Sequence, residues 1–205
     1  MLDALQPLFA AAFTLWGAPV TWLEIVAFVL AVAMVVFNIR VNPVAWPLAM
    51  ASSLLYFALF WNSRLYGEAN LQLLFIAVAG WGWWQWLAGR APDGTRLHVH
   101  SLSTRGRWNA LLALAITWPS IGLFLRRFTD SDVPWWDAFP TAGSIVGQWL
   151  LGRKYVENWP AWIVVNVVSV GLFAYKGLWL TVLLYALFIA MSVVGWREWR
   201  RIARP

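Results

Sequence analysis

Two stretches of this chain repeat one another inside otherwise apolar sequence. Phe75–Trp86 reads FIAVAGWGWWQW and Phe188–Trp199 reads FIAMSVVGWREW, with six of twelve positions identical at an offset of 113. A second pair lies upstream: Asn42–Phe57 (NPVAWPLAMASSLLYF) aligns with Asn158–Phe173 (NWPAWIVVNVVSVGLF) at an offset of 116. A long-period repeat constrains the fold more than any local pattern, because each copy has to build the same substructure. The change of offset predicts that the second copy lacks three residues near the connection after Tyr175.

The repeat sits in a chain that cannot face water. Hydrophobic residues make up 61% and charged residues 12%, against about 25% charged in an ordinary soluble domain. That composition places the chain in a lipid bilayer. There is no cysteine, which excludes disulfides, thiol catalysis and cysteine metal sites. The net charge of +6 comes from basic residues between apolar runs. They orient helices in a bilayer and form no solvated surface for nucleic acid.

A spanning helix needs about 20 apolar residues. Seven runs qualify: Val20–Ile39, Val44–Trp61, Asn70–Ala88, Trp108–Leu125, Ala138–Leu151, Trp159–Tyr175 and Leu178–Trp196. With seven spans, eleven Lys and Arg fall on one side and four (Arg64, Arg126, Arg127, Lys176) on the other. The positive-inside rule then puts the N-terminus outside and the C-terminus inside. Each repeat copy is displaced by four spans, so the two halves run parallel, and a three-plus-one-plus-three bundle results. Parallel repeats of this kind build transporters with a central site. The expected organisation is an N-terminal interfacial segment, read as an amphipathic helix, over 1–19 and a three-helix bundle over 20–88. A cytoplasmic loop, linker helix and outer loop follow over 89–136, and a second three-helix bundle over 137–200.

Chemistry-bearing residues are few. Glu24 is the one carboxylate well inside a run, and is either within reach of interfacial water or part of a solute path. No chain of Asp, Glu and His crosses the bilayer, so neither a proton relay nor an acid–base pair is present, and no enzyme activity is expected. His98 and His100 lie in a basic loop without further ligands, so neither metal nor cofactor is expected. Asn42 and Asn158 open matched runs and read as helix caps. Trp83 and Trp84 read as helix-end or gating residues, and Trp46 and Trp162 as a matched pair of stacking walls. The neutral polar residues are Asn166 (opposite Met50), Gln72 (opposite Tyr185), Ser144 and Gln148 on one face of the fifth run, and the matched pair Ser53 and Ser169. They predict a mid-membrane zone without fixed charge. Such a zone suits an uncharged or cationic aromatic solute, since indole faces attract cations.

The WGWWQW of Trp81–Trp86, the QWLLGRKYVENWPAWIVVNVVSV of Gln148–Val170 and the closing GWREW resemble the PnuC-type vitamin transporters. The resemblance runs from about Val20 to Arg200. It implies an all-α, seven-helix, SWEET-like membrane fold in the bacterial inner membrane and facilitated diffusion of nicotinamide riboside. It also implies trapping by a cytoplasmic kinase and assembly as a homotrimer. Relatives carrying thiamine or riboflavin keep the choice of vitamin open. A membrane scaffold without a transport path is the alternative of a different class.

Overall fold

The structure, a computed structural model, describes residues 7–15, 17–62, 66–91, 94–129, 131–177 and 179–203. Arg64 and Leu178, used above as charge and span markers, lie outside them. Seven helices follow a short hairpin. Strands β1 (Ala11–Leu15) and β2 (Ala18–Thr21) pair antiparallel, and Gly17 between them holds φ +86. The amphipathic helix expected at the start is therefore a β-hairpin over residues 11–21. The left-handed Gly17 turns the chain, and Pro19 inside β2 could not sit in a helix interior.

The helices are α1 (Trp22–Ile39), α2 (Ala45–Asn62), α3 (Tyr66–Ala88), α4 (Thr104–Phe128), α5 (Pro134–Gly152), α6 (Asn158–Tyr175) and α7 (Trp179–Ile202). Among the described residues, α1, α4, α6 and α7 are long and apolar enough to cross a membrane, and α2 carries a shorter apolar stretch over Ala45–Ala58. Large apolar side chains such as Leu111, Leu112, Ile116 and Phe124 stand exposed on α4, the arrangement expected where the surrounding medium is hydrocarbon. Pro119 interrupts the hydrogen-bond ladder of α4, while the hydroxyls of Thr117 and Ser120 donate to the carbonyls of Ala113 and Ile116 beside it.

The chain divides into two compact units, Met1–Leu87 and Ala88–Pro205. In the first, α1 packs on α2, and the Ser52 hydroxyl donates to the Ala27 carbonyl between them at 3.2 Å. In the second, α4 packs on α5, α5 on α6, and α6 on α7.

The repeat holds one register throughout. A shift of 113 carries α1, α2 and α3 onto α5, α6 and α7 to within a residue at every end. It also superimposes the turns between the first two helices of each half. Val41 and Lys154 both take left-handed backbone, at φ 53 and 58. Asn42 N–H donates to the Phe37 carbonyl and Tyr155 N–H to the Leu150 carbonyl, each at 2.9 Å. The buried cores agree as well. The Trp46 and Trp86 rings meet edge-on at 5.5 Å and 88°, and the Trp159 and Trp199 rings at 5.5 Å and 89°. Trp46 covers Gly82, as Trp159 covers Gly195.

The 116-residue offset, the three missing residues and the pairing of Trp46 with Trp162 are therefore corrected: Trp46-Pro47 corresponds to Trp159-Pro160. In a chain with 18 tryptophans a shifted Ala-Trp match arises by chance. A ring seated on a helical glycine and a left-handed turn do not.

Val41 is a β-branched residue in left-handed backbone, which costs about 1–2 kcal/mol. Val41→Asn is expected to raise the unfolding midpoint in detergent. Lys154→Asn is not, because it also removes the hydrogen bond from Lys154 Nζ to the Leu97 carbonyl at 3.1 Å.

Candidate functional site

The polar residues concentrate where α5 and α6 touch. α5 is rich in small residues, and these let α6 approach closely. Gly143 lies against Val165, and a Cβ added at Gly147 would stand 3.1 Å from the Trp162 indole. Ser144 and Gln148 each follow one of these glycines by a residue. Asn166 follows Val165 on α6 and is only 3% exposed. The Gln148 Oε1 atom is buried, and among the described residues it has no hydrogen-bond partner. Buried amides without partners are costly in a low-dielectric interior, and an arriving solute group offsets that cost. Gly143, Gly147, Trp162 and Val165 thus form one helix seam, and Ser144, Gln148 and Asn166 stand next to it in sequence.

The remaining expected contacts are more dispersed. Ser169 is buried further along α6. Tyr185 on α7 sits in an aromatic group, 5.0 Å from Phe173 and 5.8 Å from Phe188 between ring centroids. Ser53 on α2 and Gln72 on α3 are half-buried. In the corrected register Ser53 corresponds to Asn166, Tyr56 to Ser169, Ala49 to Trp162, and Ala31 and Val35 to Ser144 and Gln148. Only the pairing of Gln72 with Tyr185 keeps its original register.

Trp46 is packed away at 2% exposure, with its ring on Gly82 and edge-on to Trp86. It joins α2 to α3 and offers no free face for stacking. Trp83 and Trp84 stand exposed while Gln85 and Trp86 are buried, so Trp86 is the tryptophan of the WGWWQW run that enters the core. Outward-facing indoles suit the anchoring of a helix end.

Two helix-end residues behave differently from each other. Asn42 Oδ1 accepts from the Val44 N–H at 2.9 Å and caps the entry to α2. Asn158 is the first residue of α6, not its cap, and its Nδ2 donates to the Tyr155 carbonyl at 2.6 Å. Glu24 forms a capping box. Its Oε2 accepts from the Thr21 N–H at 2.7 Å, and the Thr21 hydroxyl accepts from the Glu24 N–H. That carboxylate starts α1, and its repeat counterpart Asp137 is held by Lys176 at 3.3 Å and by the Ser131 hydroxyl.

Two residues outside the expected site, Glu157 and Lys154, organise the segment before α4. Glu157 accepts from the Leu102 N–H at 3.0 Å and pairs with Arg107 at 2.9 Å. Lys154 is drawn in beneath Leu97, and its burial, aided by the Arg96 charge, lowers its pKa. The strand-like bridge of His100 to Tyr155 completes this clasp. The ENW of the entry to α6 was the available signal. A carboxylate beside a helix start invites both a backbone donor and a cation.

Known proteins extend this picture. The family described as nicotinamide mononucleotide transporter matches residues 21–201. The chain is 30% identical over 201 residues to the riboflavin/roseoflavin transporter RibM of Streptomyces davaonensis, covering 95% of this chain and 93% of that one. It is 30% identical over 177 residues to the nicotinamide riboside transporter PnuC of Escherichia coli, covering 73% of each. The crystal structure of the vitamin B3 transporter PnuC superposes with a TM-score of 0.72 at 27% identity, covering 88% of this chain and 81% of that one.

Proposed function

Since the chain belongs to the nicotinamide mononucleotide transporter family, we propose that this multi-pass protein of the bacterial inner membrane carries nicotinamide riboside by facilitated diffusion. That it transports a vitamin follows from its family and relatives. The choice of nicotinamide riboside rests chiefly on the unpartnered Gln148 Oε1 and the buried Asn166 on the helices that Trp162 and Gly147 join. Neutral amides suit a ribose and a carboxamide, and an indole face suits a pyridinium ring. Ser53, Ser144, Ser169, Gln72 and Tyr185 are proposed as further contacts. No Lys or Arg lies within α2, α5 or α6 to receive a phosphate. The unphosphorylated nucleoside is therefore the proposed cargo, even though the family's description speaks of the mononucleotide.

Uniport is supported by the state of the carboxylates. Glu24, Asp137, Glu157 and Glu198 are each held in a cap or by a cation. A uniporter accumulates nothing alone, so capture by a cytoplasmic kinase is part of the proposal, as is a SWEET-like homotrimer with its C-terminus inside. A second reading, riboflavin, is favoured by the length of the match to RibM. It shares a polyhydroxylated chain on an aromatic ring but needs a wider slot.

Calorimetry on the purified protein with nicotinamide riboside, riboflavin, thiamine, nicotinamide mononucleotide and a sugar separates these readings. Nicotinamide riboside is expected to bind at least about tenfold more tightly than any other, a difference of about 1.4 kcal/mol. Preference for riboflavin would transfer the assignment to it, and tight binding of the mononucleotide would refute the charge argument. A pH-gradient-driven current in liposomes would refute uniport.

A further inference from the structure

The turn between α5 and α6 is fastened to the segment before α4. Residues 97–103 run extended alongside it. Leu97 and Val99 are buried while Arg96 and His98 are exposed, the two-residue period of a strand. The backbone pairs on both sides of His100. Its N–H donates to the Lys154 carbonyl at 3.2 Å, and its carbonyl accepts from the Val156 N–H at 2.9 Å. Side chains of the turn hold the segment at its two ends. Lys154 Nζ donates to the Leu97 carbonyl at 3.1 Å, and the Glu157 carboxylate accepts from the Leu102 N–H at 3.0 Å. Ser103 then caps α4, which packs on α5.

The repeat supplies an internal comparison. At the offset of 113, Lys154, Val156 and Glu157 correspond to Val41, Pro43 and Val44. Each replacement deletes a group that holds the segment: Val41 has no ammonium, Pro43 no N–H and Val44 no carboxylate. The two turns share the left-handed residue and the inner hydrogen bond, so backbone shape is not the difference. Among the described residues no extended segment pairs with the α1–α2 turn, and Val44 is 45% exposed. Releasing residues 97–103 would uncover Leu97, Val99 and Leu102 and leave the buried Lys154 without its carbonyl partner. The α1–α2 turn carries none of that resistance.

We propose that residues 97–103 are a strap that keeps the α5–α6 turn shut throughout the transport cycle, leaving the α1–α2 turn as the one of the pair that opens. This rests on the transport reading above and on parallel halves, and in the proposed orientation both turns are cytoplasmic. Two halves alike in fold are thus unequal in motion.

Hydrogen exchange on the purified full-length protein, without solute, tests whether the strap is held. The peptide over 97–103 is expected to exchange at least about tenfold more slowly in the wild type than in Val156→Pro/Glu157→Val, which gives the second turn the residues of the first. Equal rates overturn the strap. A disulfide tests whether it stays shut, and does not depend on that variant folding. His100 and Tyr155 are bridge partners with ring centroids 4.5 Å apart, and the chain has no cysteine of its own. Paired strands lie about 4.8 Å apart, within disulfide reach. In His100→Cys/Tyr155→Cys proteoliposomes, uptake of labelled nicotinamide riboside is expected to agree within about twofold between the oxidised and reduced protein. A fall of about tenfold or more on oxidation, restored by dithiothreitol, means that the strap opens during transport and overturns the proposal. If the wild type carries riboflavin instead, labelled riboflavin makes the same comparison. A wild type that carries neither removes the transport reading and this proposal with it, and the exchange result alone then decides whether the strap is held.

Discussion

Gly82→Ala and Gly195→Ala are expected to be the most destabilising single-methyl additions in this protein. A Cβ at Gly195 would stand 2.5 Å from the Trp159 ring, and one at Gly82 would meet three atoms of Trp46. Neither ring has somewhere to go. Both tryptophans are 2% exposed and wedged edge-on against Trp86 and Trp199. Overpacking of this kind costs about 3 kcal/mol, at the upper end of its usual range. For a chain of this size that corresponds to a fall of roughly 6–12 °C in unfolding midpoint. Gly80→Ala is the control. Nothing lies within 4 Å of its added methyl, so relief of glycine's backbone freedom should leave the midpoint level or slightly raised. Trp46→Leu makes room, and the Gly82→Ala/Trp46→Leu double variant should be less destabilised than the sum of the singles by at least about 1 kcal/mol. Additive behaviour would mean that the ring does not rest on the glycine.

The matched Trp-on-Gly contacts give the repeat its mechanical meaning. In each half they fix the second helix to the third at the same depth, and the left-handed turn at Val41 or Lys154 fixes the first helix to the second. A half braced at both joints is suited to moving as one body, as alternating access by rocking of one repeat against another requires.

Much of this frame was legible in the sequence. Seven apolar runs became seven helices, because hydrophobic length is a strong, local signal. The Phe-Ile-Ala…Gly-Trp-x-x-Trp repeat was read in its true register, because its glycine and last tryptophan are the residues that touch. The upstream repeat was misread although its true register carries an identical Trp-Pro pair, Trp46-Pro47 and Trp159-Pro160, because the neighbouring Ala-Trp match at the shifted offset competes with it. The left-handed Val41 and Lys154, alike only in backbone angle, add no residue identity to decide between them. Glu24 was weighed as a membrane carboxylate, although Thr-x-x-Glu before an apolar run is the signature of a capping box. Ser52 was passed over for Ser53, because helical spacing alone did not reveal which serine faces Ala27. The pairing of Glu157 with Arg107 joins residues 50 positions apart, and no local pattern announces that.

Asn166→Ala is expected to weaken solute binding by roughly 10- to 100-fold while leaving the protein as stable as before, or more so. The two halves of that expectation have one cause. Asn166 is buried at 3% exposure. A buried amide kept for a solute is unsatisfied in the empty protein, at a cost of about 1–3 kcal/mol. Removing it relieves that cost and also deletes the hydrogen bonds that the solute would make, at about 1.4 kcal/mol per tenfold change in affinity. An amide kept for packing or helix–helix bonding would behave oppositely, with its loss lowering stability first. Ser53→Ala, the repeat counterpart on α2, is the internal comparison and should change binding by less than about threefold, since a hydroxyl in a half-exposed setting contributes little net. Calorimetric titration with nicotinamide riboside and a thermal melt on the same samples supply both readouts. If Ser53→Ala proves the more damaging to binding, the first half reads the solute. If Asn166→Ala melts earlier at unchanged affinity, the amide is a structural tie and the seam of α5 and α6 is not the site.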